Sequence, residues 1–413
     1  MRVAGGGAHL AGDGQPLPVD EQEVLSRMGY PCFSEAEMAH RHQRLAAVLE
    51  DNDVRQVLLY GADRSGSAVQ WLTGWPVTRE AVLVWAPGRP EVLVVQFYNH
   101  VPNARRLAPG VEVRWGGPST IDVVLDALAA NEARPSRVGV VGPFPARLLG
   151  PLAAGVEDVV FLDQAYAGLR LTKSEEEVAW IRRGASLTDR AVGALAAEGR
   201  AGRTEAELGA VIEGAYLGTG AVNHIHYLGV TSMHDPEVCV PAQWPSTRRL
   251  RPGDVLTCEV SASYWGYPGQ LLRTFTVESE PTGLYRELHE VAEAAYDAMV
   301  ARLRPGGTAA DLAEAAGLIE DAGYTSWDDL VHGFVGAYLP PHISGPGRPT
   351  GKVRPGRPGG PDFTFAPGMT AVVQPNVVTR DSRAGVQTGE LLLVTETGCT
   401  SLHRFARGMG RLG

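Results

Sequence analysis

Cysteine is scarce. Cys32, Cys239, Cys258 and Cys399 are scattered through 413 residues with no CxxC pair. That excludes a zinc knuckle and a disulfide framework, and predicts four reduced, mostly buried thiols. Long hydrophobic runs are missing as well: no stretch approaches the roughly 20 apolar residues that cross a bilayer. The opening residues, MRVAGGGAHLAGDGQPLPVDEQE, lack the apolar core of a secretion signal and read as a loose tail over residues 1–30. A cytoplasmic protein without a membrane partner is expected. Positive charge is in deficit, with a formal net charge of −10. No dense Lys/Arg patch with interleaved aromatics offsets it, so nucleic acid is not an expected partner.

What is present suits two domains, each with its own core. From about Glu35 to Leu162, strand-like runs such as VRQVLLYG and AVLVWAPGRPEVLVVQ alternate with amphipathic patterns such as SEAEMAHRHQRLAAVLEDND. This alternation predicts a small α/β domain over 31–168. The remainder, 169–413, opens with a helix start in which Ser174 and Glu177 form a capping box. Val178, Ile181, Ala185, Val192 and Leu195 then recur on one face. Thr204/Glu207 and Thr308/Asp311 open two further helices. Strand-like runs follow at Val255–Ser261, Leu271–Val277, Thr370–Val378 and Leu391–Thr395, which predicts an α+β domain. The Pro/Gly/Arg-dense segment from Ser344 to Asp362 reads as a loop, either a flap over a pocket or a solvated insertion.

One stretch carries chemistry: GDVLTCEVSASYWGYPGQLLRTFTV, Gly253 to Val277. Alternation puts Thr257, Glu259 and Ser261 on one strand face, and the turn brings Gln270 back towards Glu259. Glutamate can act as a base, hold a cation or pair with a guanidinium, whereas glutamine can only donate and accept hydrogen bonds. In NHIHYLG, His224 and His226 fall two apart, as if on one strand face. Tyr264 and Trp265 lie in an aromatic turn that either lines the pocket, where it would suit a planar or cationic group, or packs the domain.

The segments LRLTKSEEEVAWIRRGASLTD, LRPGDVLTCEVSASYWGYPGQLLRTFTV, VHGFVGAY, FAPGMTAVVQPNVV and GVQTGELLLVTETGCTSL, in that order, resemble the creatinase/aminopeptidase P/prolidase family. The resemblance implies an α+β pita-bread catalytic domain preceded by a smaller creatinase-like α/β N-terminal domain, and a homodimer. In metal-dependent members two Asp, one His and two Glu hold two metal ions. Here those positions fall on Glu259, Gln270, His332, Gln374 and Gly389, with Glu390 just after the last. Such a set is poor in the carboxylate oxygens that divalent ions need, so no metal and no other cofactor are expected. Creatinase is a metal-free precedent, although its own signature residues fall here near Pro241-Ala242 and on Leu272. The resulting expectation is a metal-independent, creatinase-like hydrolase or lyase acting on a C–N or amide-like bond of a small polar substrate. His332, Glu259 and His226 would be catalytic; Gln270, Gln374, His224, His342, Tyr264 and Trp265 would bind the substrate. Glu390 is expected to be structural. The alternatives are a catalytically inactive binding protein and a metal-dependent Xaa-Pro peptidase.

Overall fold

The computed structural model describes residues 32–62, 68–132, 135–335, 338–344, 360 and 362–413. The chain divides into two compact units, one within Arg27–Arg170 and one within Leu171–Gly413. No described helix is long and apolar enough to cross a membrane.

In the first unit, strands β1 (Gln56–Ala62), β2 (Glu80–Trp85), β3 (Val92–Val95), β4 (Glu112–Trp115), β5 (Arg137–Val141) and β6 (Asp158–Phe161) form one sheet ordered β4-β3-β2-β1-β5-β6. Pairings β1–β2 and β2–β3 are antiparallel and the others parallel. Helices cover both faces: α1 (Glu35–Asp51), α2 (Ala68–Thr73), α3 (Val101–Leu107), α4 (Thr120–Asn131), α5 (Ala146–Gly155) and α6 (Asp163–Leu171). That explains the unbroken apolar strands. Val57 and Leu59 of β1 enter one core with Leu45 and Leu49 of α1, while Leu58 and Tyr60 enter another with Val124 and Leu128 of α4.

The second unit begins with α7 (Glu175–Glu198), whose N-cap Ser174 accepts from the Glu177 amide. Its residues Ile181, Ala185, Val192 and Leu195 are fully buried, as the 3–4 spacing predicts. Helix α8 (Glu205–Leu217) follows with a complete Thr204/Glu207 capping box. Strands β7 (Val222–Ser232), β8 (Asp254–Tyr264), β9 (Tyr267–Pro268), β10 (Leu271–Val277), β11 (Asp329–Phe334), β12 (Tyr338–Ser344), β13 (Thr370–Val373), β14 (Gly389–Val394), β15 (Cys399–Ser401) and β16 (Gly410–Leu412) form a ten-stranded sheet. Its path is β12-β11-β13-β14-β10-β8-β7, with β15, β16 and β9 pairing to β14, β10 and β8. Helix α9 (Gly283–Val300) packs with α10 (Ala309–Ala315) and α11 (Leu318–Asp321) over one end of it, burying Leu288, Ala292 and Met299 against Val373 and Leu392. Helix α10 carries the Thr308/Asp311 capping box.

Two glycines press α7 onto the sheet. A Cβ at Gly184 would lie 2.2 Å from the Tyr267 carbonyl, and one at Gly269 would lie 2.3 Å from Ala185 Cα. Strand β13 ends at Val373 rather than Val378, because Pro375 has no N–H to continue a ladder. The segment read as a flap falls almost wholly outside the described residues.

Candidate functional site

Strand register assembles the site. Glu259 on β8 stands opposite Leu272 on β10, which stands opposite Gly389 on β14, and residues opposite one another share a sheet face. Gln270, two residues before Leu272, falls on that face too. Its amide nitrogen donates to Glu259 Oε1 at 2.7 Å and to Gln374 Oε1 at 3.3 Å. Gln374 follows β13 and donates through its own amide to Asp329 Oδ1 at 3.4 Å. Beside it, Asn376 donates to Asp328 Oδ2 at 3.1 Å. His332 on β11 joins the group: Gln374 and the Asp328 charge act on its ring, and its Nδ1 lies 3.4 Å from the Gly333 carbonyl. Glu259, Gln270, His332 and Gln374 are all buried.

The electrostatics follow from burial among like charges. Glu259 is pushed up to about 8, first by desolvation and then by the charges of Asp328 and Asp329. Asp328 rises to about 6, by burial and then by repulsion from Asp329, with the Asn376 hydrogen bond opposing. His332 is pushed down to about 4, chiefly by burial. At pH 7 the cluster therefore holds a proton on Glu259 and none on His332. Two buried acceptors, Gln270 Oε1 and Asp329 Oδ2, have no hydrogen-bond partner.

Behind this layer lies a cation already in use. Arg273, fully buried, donates to Glu390 at 2.8 Å, to the Gly389 carbonyl at 2.9 Å and to the carbonyls of Ala406 and Phe405. Tyr296 OH also donates to Glu390, at 2.9 Å. Burial raises the Glu390 pKa, but Arg273, with His403 and Ser401, outweighs it and the net shift is downward. Glu390 thus serves as the counter-ion of Arg273. No side chain fits at Gly389 as the backbone stands: a Cβ there would lie 2.6 Å from the Val373 carbonyl and 2.8 Å from Gln374 Cα.

The other sequence-predicted residues separate. His226 stands opposite Val260, on the face away from Glu259, and pairs with Glu213 at 3.2 Å and Asn223 at 3.1 Å. The reason is a register shift between Asn223 and Ile225, which puts His224 on a bulge and breaks the alternation that would align the two histidines. His224 turns the other way. Its ring meets Phe334 edge-on at 5.5 Å, and Phe334 meets His332 at 5.5 Å. His342 is exposed, opposite His332 on β12. Tyr264 is not part of the cluster: it has the pleat parity opposite to Glu259 and stacks on Trp180 of α7 at 5.8 Å. Trp265 is half-buried in the turn with φ of +51°, six residues and roughly 20 Å along the chain from Glu259.

Sequence reasoning missed Asp328, Asp329, Asn376 and Tyr227. Tyr227 stands opposite Glu259, and its hydroxyl is held protonated to higher pH by burial and by that carboxylate. The available signals were the paired acids in WDDLVHGF, just before His332, and the amide in QPN, two residues after Gln374.

Comparison with known proteins gives a consistent picture. The sequence pattern described as metallopeptidase family M24 matches residues 179–396. The Xaa-Pro dipeptidase of Pyrococcus furiosus is 27% identical over 259 residues, which is 62% of this chain and 69% of that protein. A probable dipeptidase, PepE, of Mycobacterium tuberculosis is 28% identical over 279 residues, covering 65% and 68%. Among solved structures, the prolidase of Pyrococcus horikoshii superposes with a TM-score of 0.74 at 21% identity, over 89% of this chain and 99% of that one. That likeness shows the fold: a small N-terminal α/β domain followed by a pita-bread domain.

Proposed function

We propose, since this chain belongs to metallopeptidase family M24, that it is an enzyme of the family's hydrolytic type that works without the family's pair of metal ions. The observation that carries this reading is the Gln270 amide, which donates 2.7 Å to Glu259 and bridges to a second amide, Gln374. Divalent ions need anionic oxygens, and an amide N–H turned towards the Glu259 carboxyl points a positive dipole at the place a cation would take. Gly389 has no room for a further ligand. Among the described residues, no three His, Cys, Asp or Glu side chains are placed to hold a metal ion. The donor set does not fit two metals.

The remaining equipment suits acid–base cleavage of an amide-like C–N bond in a small polar substrate. Glu259, which keeps its proton near neutrality, donates it to the leaving nitrogen as the C–N bond breaks. Neutral His332 accepts the proton of the attacking water, whose oxygen bonds to the carbon. Gln270 and Gln374 orient the substrate by hydrogen bonds, and His224, at the rim beside Phe334, contacts it.

A second reading is favoured by the sequence relatives, which are named Xaa-Pro dipeptidase and dipeptidase: metal-dependent cleavage of a dipeptide. One experiment separates the two. The purified protein, made without a histidine tag, is analysed for metal and assayed on Xaa-Pro dipeptides and on small amides, with chelator and with added Mn²⁺. Turnover that survives chelator and is lost in His332→Ala supports the metal-free reading. Turnover that requires about two metal equivalents per chain overturns it in favour of the dipeptidase.

A further inference from the structure

The first unit carries a groove of its own, of about 490 Å³, where the turn between β2 and β3 meets the chain entering β1. That volume falls among small-molecule sites, roughly 300–1,000 Å³. Leu49, Val54 and Ala86, all buried, give it an apolar floor. The C-terminal turns of α1 and α4 supply its walls. Gln56, 2% exposed, locks the α4 wall in place: its amide donates to the Leu128 carbonyl at 3.4 Å, and its Oε1 accepts from Asn131 at 3.0 Å. Pairing of Val57 with Trp85 sets Gln56 beside the turn. The groove is thus framed by packed helices and strands.

Charges of both signs line it. Arg55 pairs with Glu132 at 3.7 Å. Glu50 and Arg89 are left open: both are exposed, and neither side chain has a hydrogen bond or ion pair among the described residues, not even with the other. Helices α1 and α4 have no basic residue in their last turns, so their carbonyl ends add to Glu50 in favouring positive charge. This combination disfavours simpler ligands. A phosphate meets Glu50 and two helix C-termini, and a bare metal ion meets a guanidinium with one open carboxylate. A neutral apolar molecule displaces water from both charges and replaces none of it. A zwitterion with an apolar side chain answers every feature: its ammonium group goes to Glu50, its carboxylate to the guanidinium fork of Arg89, and its side chain to the floor.

We infer that this groove binds a small zwitterion with an apolar side chain, a free α-amino acid or a dipeptide, with Glu50 holding the ammonium group and Arg89 the carboxylate. No chemistry is asked of these residues, and the site stands whether or not the second unit works with metal.

The test is calorimetric titration of the full chain, treated with chelator, with L-leucine and with L-leucyl-L-leucine. At least one should bind saturably, and the better binder gives the span between the two charges. Its N-acetyl form, which lacks the ammonium charge, and its C-terminal amide, which lacks the carboxylate, should each bind at least tenfold more weakly. Glu50→Gln should weaken the zwitterion fivefold or more and leave the N-acetyl form within twofold. Arg89→Gln should weaken the zwitterion likewise and leave the amide within twofold. Both positions are exposed, so both variants should melt with the native chain. Should one not fold, the other variant and the two neutralised forms decide. No saturable binding of either zwitterion, neutralised forms that bind as well as their parent, or binding that both variants leave unchanged overturns the inference.

Discussion

Glu259→Gln isolates the electrostatics of the site, because it removes one titrating group while keeping shape and an acceptor for the Gln270 amide. The Glu259 carboxyl is raised from an ordinary 4.5 to about 8 in the folded chain. A raised carboxyl favours folding while it is protonated, so its contribution is complete below pH 4.5 and is lost as the pH climbs through 8. Across that window the folded state binds more protons than the unfolded one, and stability falls by up to about 1.4 kcal/mol per pH unit. Summed from pH 5 to 8.5, the loss is roughly 3–5 kcal/mol, a large fraction of a typical domain's stability. The substituted amide does not ionise and escapes this loss. The variant should match the native chain near pH 5 and exceed it by several kcal/mol at pH 8.5. Asp328, raised to about 6, titrates in both proteins, so the difference between the curves reports Glu259. Urea unfolding followed by circular dichroism at constant ionic strength, at half-unit steps from pH 5 to 9, measures it. Parallel curves, within about 1 kcal/mol of each other throughout, would refute the reasoning.

Three further substitutions probe the frame of the site. Gly389→Ala drives a Cβ to 2.6 Å from the Val373 carbonyl, and overpacking of this kind should cost about 1–3 kcal/mol, read as a lowered thermal midpoint. Arg273→Met strands Glu390 at its 2.8 Å buried ion pair, and loss of about 3–5 kcal/mol is expected; a melt within about 1 °C of the native one would mean the pair is silent. Thr204→Ala removes the hydroxyl that accepts from the Glu207 amide in the capping box and should cost about 1 kcal/mol, measured by urea denaturation.

The parts of this structure that could be read from sequence are those fixed by short-range chemistry. Ser174, Thr204 and Thr308 cap their helices because a hydroxyl can reach an amide three residues on, and nothing distant competes. The buried stripe of α7 follows from the helix period alone. Glu259 and Gln270 could be paired in advance because one tight turn separates their strands, so the period-2 pleat carries through from β8 to β10.

Where register is set over longer distances, alternation along one strand stops being informative. The bulge at His224 reverses the pleat between Asn223 and Ile225, and a one-residue slip sends a side chain to the opposite face. That single irregularity directs His226 to Glu213 and gives its place opposite Glu259 to Tyr227. Asp328 and Asp329 were hidden for a different reason. They lie at the start of β11, and they gain meaning only once the chain after β13 brings Gln374 and Asn376 against them. The two cases share a cause. A carboxylate's chemistry is decided by the charges and dipoles within a few ångströms, and in a sheet ordered β11-β13-β14-β10-β8 those neighbours come from strands far apart in the chain. Family motifs mark the ligand positions but not the charges around them. Here Asp328 and Asp329 lie outside those positions, so a search confined to Glu259, Gln270, His332, Gln374 and Gly389 counts too few carboxylates and overlooks the neighbours that raise Glu259.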